Sequence, residues 1–141
     1  MTEERQYTLT VNEAQARVLS EALSLYARVG IAQFEELLSV YDSRRADNEQ
    51  LSPEVATQKY HKAREHLEQA KLELTGYSPN ASHGIHSENV RDKYRVSYDM
   101  HRLIRHRMAF DRSPGGGHGV DFHEVSCTST EQPLARFEEK R

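Results

Sequence analysis

The sequence predicts an α+β fold: three α-helices, one of them long, with a small antiparallel β-sheet, assembled as a homo-oligomer. Three observations lead there. Apolar residues recur at helical spacing in three separate stretches; "QYTLTV" (6–11) and "VDFHEVSCTS" (120–129) alternate as β-strands do; and 141 residues suit one domain. In this reading the domain spans residues 1–130, and 131–141 form a C-terminal tail or edge segment.

The 6–11 stretch is the first strand, and 120–129 is the strand available to pair with it. The first helix runs over 12–42. Asn12 or Thr10 can cap it, and Leu19, Leu23, Tyr26, Ile31, Phe34, Leu37, Leu38 and Tyr41 follow close to helical spacing. Such a helix would be roughly 45 Å long, which in so small a domain points to a partner helix from another subunit. Gly30 costs about 1 kcal/mol there relative to alanine, so it marks a kink or a close approach of another backbone or a ligand. A polar linker, "DSRRADNEQ", follows. The second helix starts with Ser52 as cap, Pro53 at the first helical position and Glu54 in the first turn, and stops at Gly76. Its apolar stripe is thin (Val55, Tyr60, Ala63, Leu67, Ala70, Leu74), and its other faces are dense with charge. "GYSPNASHGIHSE" (76–88) is a loop by composition. The third helix covers 89–112, with Val90, Tyr94, Ser97, His101, Ile104 and Met108 on one side. "SPGGGHG" then reads as a flexible turn.

The composition is polar. Apolar residues make up 36%, and about 41% with glycine, below the usual ~45–50%. The one cysteine, Cys127, excludes an intramolecular disulfide and points to a reducing compartment. The N-terminus lacks the basic and apolar regions of a signal peptide, and no apolar run approaches the ~18 residues of a membrane span. These features predict a soluble, cytoplasmic protein. Net charge is −3, against a general binder of DNA or RNA polymers. Yet the charge is sorted: residues 91–112 carry seven Lys/Arg against three Asp, a net of +4, which leaves −7 for the remainder. Six of the eight histidines lie in or beside that segment. A local anion site needs such sorting.

The third helix carries the chemistry. Arg95, Tyr98, Arg102, Arg105 and His106 are linked by spacings of three and four, so they share a surface. Arginine forks grip phosphate with two parallel hydrogen bonds, and tyrosine can stack a ring. Two readings fit: a solvated basic stripe balancing the acidic remainder, or a phosphate site helped by the glycine loop behind it. The loop around Asn80, Ser82 and Gly84 is either a plain connection or a flap over a ligand. His83-x-x-His86 and His118…His123 match no strong metal pattern, and no HExxH or CxxC pair is present, so no metal and no cofactor is expected. A hydrolase could use His101 or His106 with Asp99 or Asp111, but neither pairing has favoured helical spacing and no GxSxG or P-loop accompanies them. A helical adaptor gripping a host protein through the acidic second helix is the other alternative. In "LYARVGIAQFEELL", Arg28 beside Gly30 lies either in a dimer seam or near a ligand.

Three stretches, "LYARVGIAQFEELL", "YSPNASHGIHSENV" and "IRHRMAFDRSPGGGHGVDF", resemble in order and combination the small phage proteins of the first anti-Thoeris type. These are cyclic ADP-ribose sponges that phages use against a bacterial TIR-based defence. The resemblance covers residues 6–130, with 42–75 the least similar part. It implies a non-enzymatic homo-oligomer, dimer or higher, in the host cytoplasm. Such a protein would hold a glycocyclic ADP-ribose signal at subunit contacts, with cyclic oligonucleotides such as cyclic oligoadenylates as a further ligand class at separate sites. Carried onto the matching positions, it implies that Arg102 and Arg105 bind phosphate, with His106 beside them. Arg28 and Asn80 would donate to ribose or phosphate oxygens, and Tyr98 would stack. Phe110 is a second stacking ring, smaller than the one the resemblance would place there. A sponge for a scarce signal needs nanomolar binding, about 12 kcal/mol. Two or three charge-assisted bonds of about 1.5–3 kcal/mol and a stacked base of about 1–3 fall short of that on an open surface. An enclosed, dry site between subunits would strengthen each of them.

Overall fold

The computed structural model describes residues 4–40 and 52–140. Among these residues there are four α-helices: α1 (Glu13–Gly30), α2 (Glu36–Val40), α3 (Pro53–Thr75) and α4 (Asp92–Arg112). A 3₁₀ turn, Val120–Phe122, follows them. Among the described residues there is no β-strand, so the α+β expectation is corrected to an all-α fold. No helix among them is long and apolar enough to cross a membrane.

Local chemistry starts the helices. Asn12 and Gln15 form a reciprocal capping box: the Asn12 side chain accepts from the Gln15 N–H at 2.9 Å, and the Gln15 side chain accepts from the Asn12 N–H at 3.0 Å. Ser52 accepts from the Val55 N–H at 3.3 Å, Pro53 occupies the first turn, and Gly76 ends α3 in the left-handed region at φ 74°.

The long first helix does not form as one piece. α1 stops at Gly30, and a tight turn follows in which Ala32 takes φ 70° and the Gln33 N–H donates to the Arg28 carbonyl. The Tyr94 ring of α4 lies against Gly30 so closely that a Cβ there would overlap it. Gly30 therefore marks the break the sequence suggested, and the group that approaches it closely is an aromatic side chain rather than the backbone or ligand expected. The expected continuation past Val40 falls outside the described residues. At 18 residues, α1 finds its partner helix in α4 of the same chain, which removes helix length as an argument for a second subunit.

α1 against α4 is the main packing contact. Small residues on α1, Ala16, Ser20 and Ala27, are buried at the seam. Ile104 and Met108 of α4 join Ala16, and Val11, Leu19, Leu23 and Phe137 close around them. A polar line runs beside this core: Ser97 Oγ donates to the Leu23 carbonyl at 2.6 Å, and His101 Nδ1 lies 3.1 Å from the Ser20 carbonyl. α3 packs mainly on α2 and leaves Leu72 and Leu74 exposed.

Both expected strands are irregular for identifiable reasons. Residues 6–10 have no regular structure and face solvent, with Tyr7 87% and Leu9 72% exposed, and only Val11 turns in to the core. Residues 120–129 begin with the 3₁₀ turn and end with two backbone donors given to a side chain of α4. The Thr128 and Ser129 N–H groups both donate to Asp99 at 3.0 Å, and the Thr130 N–H donates to Asp92 at 2.9 Å. Carboxylates do here what a neighbouring strand would have done.

Candidate functional site: the basic face of α4

α4 is the spine of the site. After it, the chain reverses through 113–119. Gly116 sits at φ 87°, and a Cβ on Gly117 would crowd the Phe122 ring at 2.6 Å. Two glycines are thus required to bring the 3₁₀ turn back onto α4. Phe122 then meets Phe110 edge-on at 5.2 Å between ring centres.

That return engages three of the expected ligand residues. Arg102 Nη2 donates to the Val120 carbonyl at 3.1 Å. Arg105 Nε and Nη2 straddle the Asp121 carboxylate at 3.0–3.2 Å. His106 Nδ1 lies 2.9 Å from the Asp121 carbonyl, an acceptor, so Nδ1 carries the proton. Hydrogen bonding from Arg105 holds the Asp121 carboxyl below its ordinary range and raises the Arg105 guanidinium in turn.

Arg28 comes from α1. It bonds Glu36 at 3.0 Å and Gln33 at 3.3 Å, across the turn after α1, and its field reaches His101. His101 is pushed below its ordinary value, first by burial and then by Arg105, Arg102 and Arg28, against the raising effect of the Ser20 carbonyl. Three arginines from two helices therefore act on one histidine. Tyr98 is half-buried beside it, with ring centres 6.5 Å apart.

Not every expected residue joins this site. Asn80 lines a cavity elsewhere, with Lys71 and Glu35. Arg95, expected on the basic face, lies two turns before Arg102, where it is buried and donates to the carbonyls of Ile85 and Ser87 at 2.8 and 2.7 Å. Phe110 spends its ring on Phe122 and on His106, 4.9 Å away. The carboxylates of the hydrolase alternative are engaged elsewhere: Asp99 with Thr128 and Ser129, and Asp111 with Arg107 at 2.9 Å. Among the described residues no cluster of three or more His, Cys, Asp or Glu could hold a metal ion.

Asp92 and Asp121 escaped sequence reasoning, and Asp99 was weighed only as an acid–base partner for a histidine. Asp92 and Asp99 are seven residues apart on one helix, hence on one face, a spacing that could have marked them as a pair. Hydrogen bonds from Ser129 and then Thr130 hold the Asp92 carboxyl below its ordinary range. Asp121 carried no local signal, because its partner lies 16 residues away. No protein-family model, curated protein or solved structure matches this chain.

Proposed function

We propose that the protein binds a cyclic ADP-ribose-type nucleotide and holds it uncleaved, on the basic face of α4 where the 120–122 turn returns. One observation carries the reading: Arg102, Arg105 and His106 gather against Val120 and Asp121, with the Tyr98 ring beside His101 on the same helix. A diphosphate would replace Asp121 in the Arg105 fork and the Val120 carbonyl on Arg102, exchanging one set of charge-assisted bonds for another. Burial and the nearby arginines favour the neutral form of His101, whose ring adds a hydrogen-bonding edge. The sequence resemblance points to the same ligand class, with cyclic oligoadenylates as the further class to be tested. Arg28 and Arg105 are half-exposed, so a single chain leaves them open to water. Nanomolar binding requires a roof over them, and a second copy of the chain is the proposed source.

The test is binding followed by release. Purified protein is mixed with cyclic ADP-ribose isomers and with cyclic oligoadenylates, freed of unbound ligand and heat-denatured, and the supernatant is read by mass spectrometry. Intact ligand near one equivalent per site is expected, reduced at least about tenfold in Arg105→Ala through loss of a charge-assisted pair. Cleaved ligand would instead make the protein a hydrolase, and no retained ligand would sink the nucleotide reading.

A second reading rests on α3, which keeps Leu72 and Leu74 exposed. An adaptor gripping a host protein through α3 would keep its activity in Arg105→Ala and would lose it in Leu72→Asp.

A further inference from the structure

We infer that a cavity between the turn after α1, helix α3 and the loop at Pro79 is a binding site for a small carboxylate, with Lys71 as its anchor. Lys71 is 2% exposed, the most enclosed large side chain in the core. An ammonium has three donors, and this one makes a single hydrogen bond, to the Pro79 carbonyl at 3.0 Å, and no ion pair among the described residues. An enclosed ammonium with two of its three donors unused is costly to hold. Glu35, a carboxylate on the same wall, makes no ion pair with it, so those two donors are left for a ligand.

The surroundings fit one. Lys71 lines a cavity of about 150 Å³, walled on its apolar side by Phe34 and Leu67. Asn80 lines it too and brings an amide that can donate to an oxygen. Arg64 is present but already neutralised by Glu68 at 3.2 Å. That leaves Lys71 as the unanswered cation. Glu35, also on the wall, makes no ion pair among the described residues and repels a second negative charge. A monocarboxylate therefore fits better than a phosphate dianion. The volume matches a cavity that accepts benzene, about six non-hydrogen atoms, far too small for a nucleotide. The inference does not rest on the nucleotide site proposed above, because Arg28, Tyr98, Arg102, Arg105 and His106 are not among these walls.

The experiment is a thermal-shift titration of the full chain with sodium acetate, against sodium chloride at equal ionic strength, with inorganic phosphate as the comparison anion. At about ten times its dissociation constant acetate is expected to raise Tm by roughly 4 °C, and phosphate by less. Lys71→Met keeps the length of the side chain and removes the charge. It is expected to match or exceed the parent Tm without acetate and to show no acetate response. Asn80→Ala alters an exposed side chain and is expected to weaken the response severalfold, which keeps the test open should Lys71→Met fail to fold. A parent protein indifferent to acetate, a larger response to phosphate, or an undiminished response in both variants would overturn the inference.

Discussion

Asp99→Ala offers the sharpest test of how the C-terminal segment is held. The carboxylate is 3% exposed. It accepts from the Thr128 N–H, from Thr128 Oγ1 at 2.6 Å and from the Ser129 N–H at 3.0 Å. In the alanine variant the Thr128 hydroxyl can still turn to the Arg95 carbonyl at 3.4 Å. The two backbone N–H groups have no such second acceptor, and leaving each unsatisfied costs about 1–3 kcal/mol. The segment can peel back into water, which limits the total to what its docking contributes. The expected loss is about 3 kcal/mol in urea unfolding, with the m-value little changed. Thr128→Val, which removes only the hydroxyl, is expected to cost about 1 kcal/mol. Amide exchange at Thr128 and Ser129 should accelerate in Asp99→Ala and barely move in Thr128→Val. A loss below about 1 kcal/mol, with both amides still protected, would refute the idea that α4 carboxylates hold this segment.

Two further outcomes are expected. Gly30→Ala gains about 1 kcal/mol of helix propensity but drives a methyl into the Tyr94 ring. The net is expected to be destabilising by about 1–2 kcal/mol in urea, whereas Gly84→Ala, with open space at its Cβ, should be near neutral. His101 is held below its ordinary value of 6.5, so below that pH the unfolded chain takes up more protons than the folded one. Its contribution to stability is complete above 6.5 and is lost as pH falls toward its lower folded value. Urea midpoints measured from about pH 7.5 down to about pH 5 should therefore fall more steeply for the parent than for His101→Gln.

Some features were legible along the chain because their causes are local. The capping box needs only Asn12 and Gln15, three residues apart, and α3 begins and ends on Ser52, Pro53 and Gly76, each acting on backbone within one turn. The third predicted helix was placed within a few residues of α4, and its apolar side was recognisable, since Val90, Ser97, Ile104 and Met108 are buried. The expected surface of Tyr98, Arg102, Arg105 and His106 follows from helical geometry alone. Alternation in 6–11 and 120–129 was a weaker guide. It shows that a backbone is compatible with a strand, while a sheet exists only if a second strand supplies the hydrogen bonds.

The remaining features rest on contacts between residues distant along the chain. Gly30 could mean a bend or the approach of a backbone or ligand, and what arrives is the Tyr94 ring, 64 positions on. Arg95 and Arg102 are equivalent as letters on a helix, yet Arg95 is buried against the 85–87 loop while Arg102 faces the returning 3₁₀ turn. Lys71 lies four residues after Leu67 on the apolar stripe of α3, where a lysine ordinarily carries its charge out to water. The 79–80 loop and the turn after α1 close over it instead. Caps and helix faces are written in spacings of three and four, but burial depends on which distant segment arrives, and a buried charge becomes informative only once its partners can be counted.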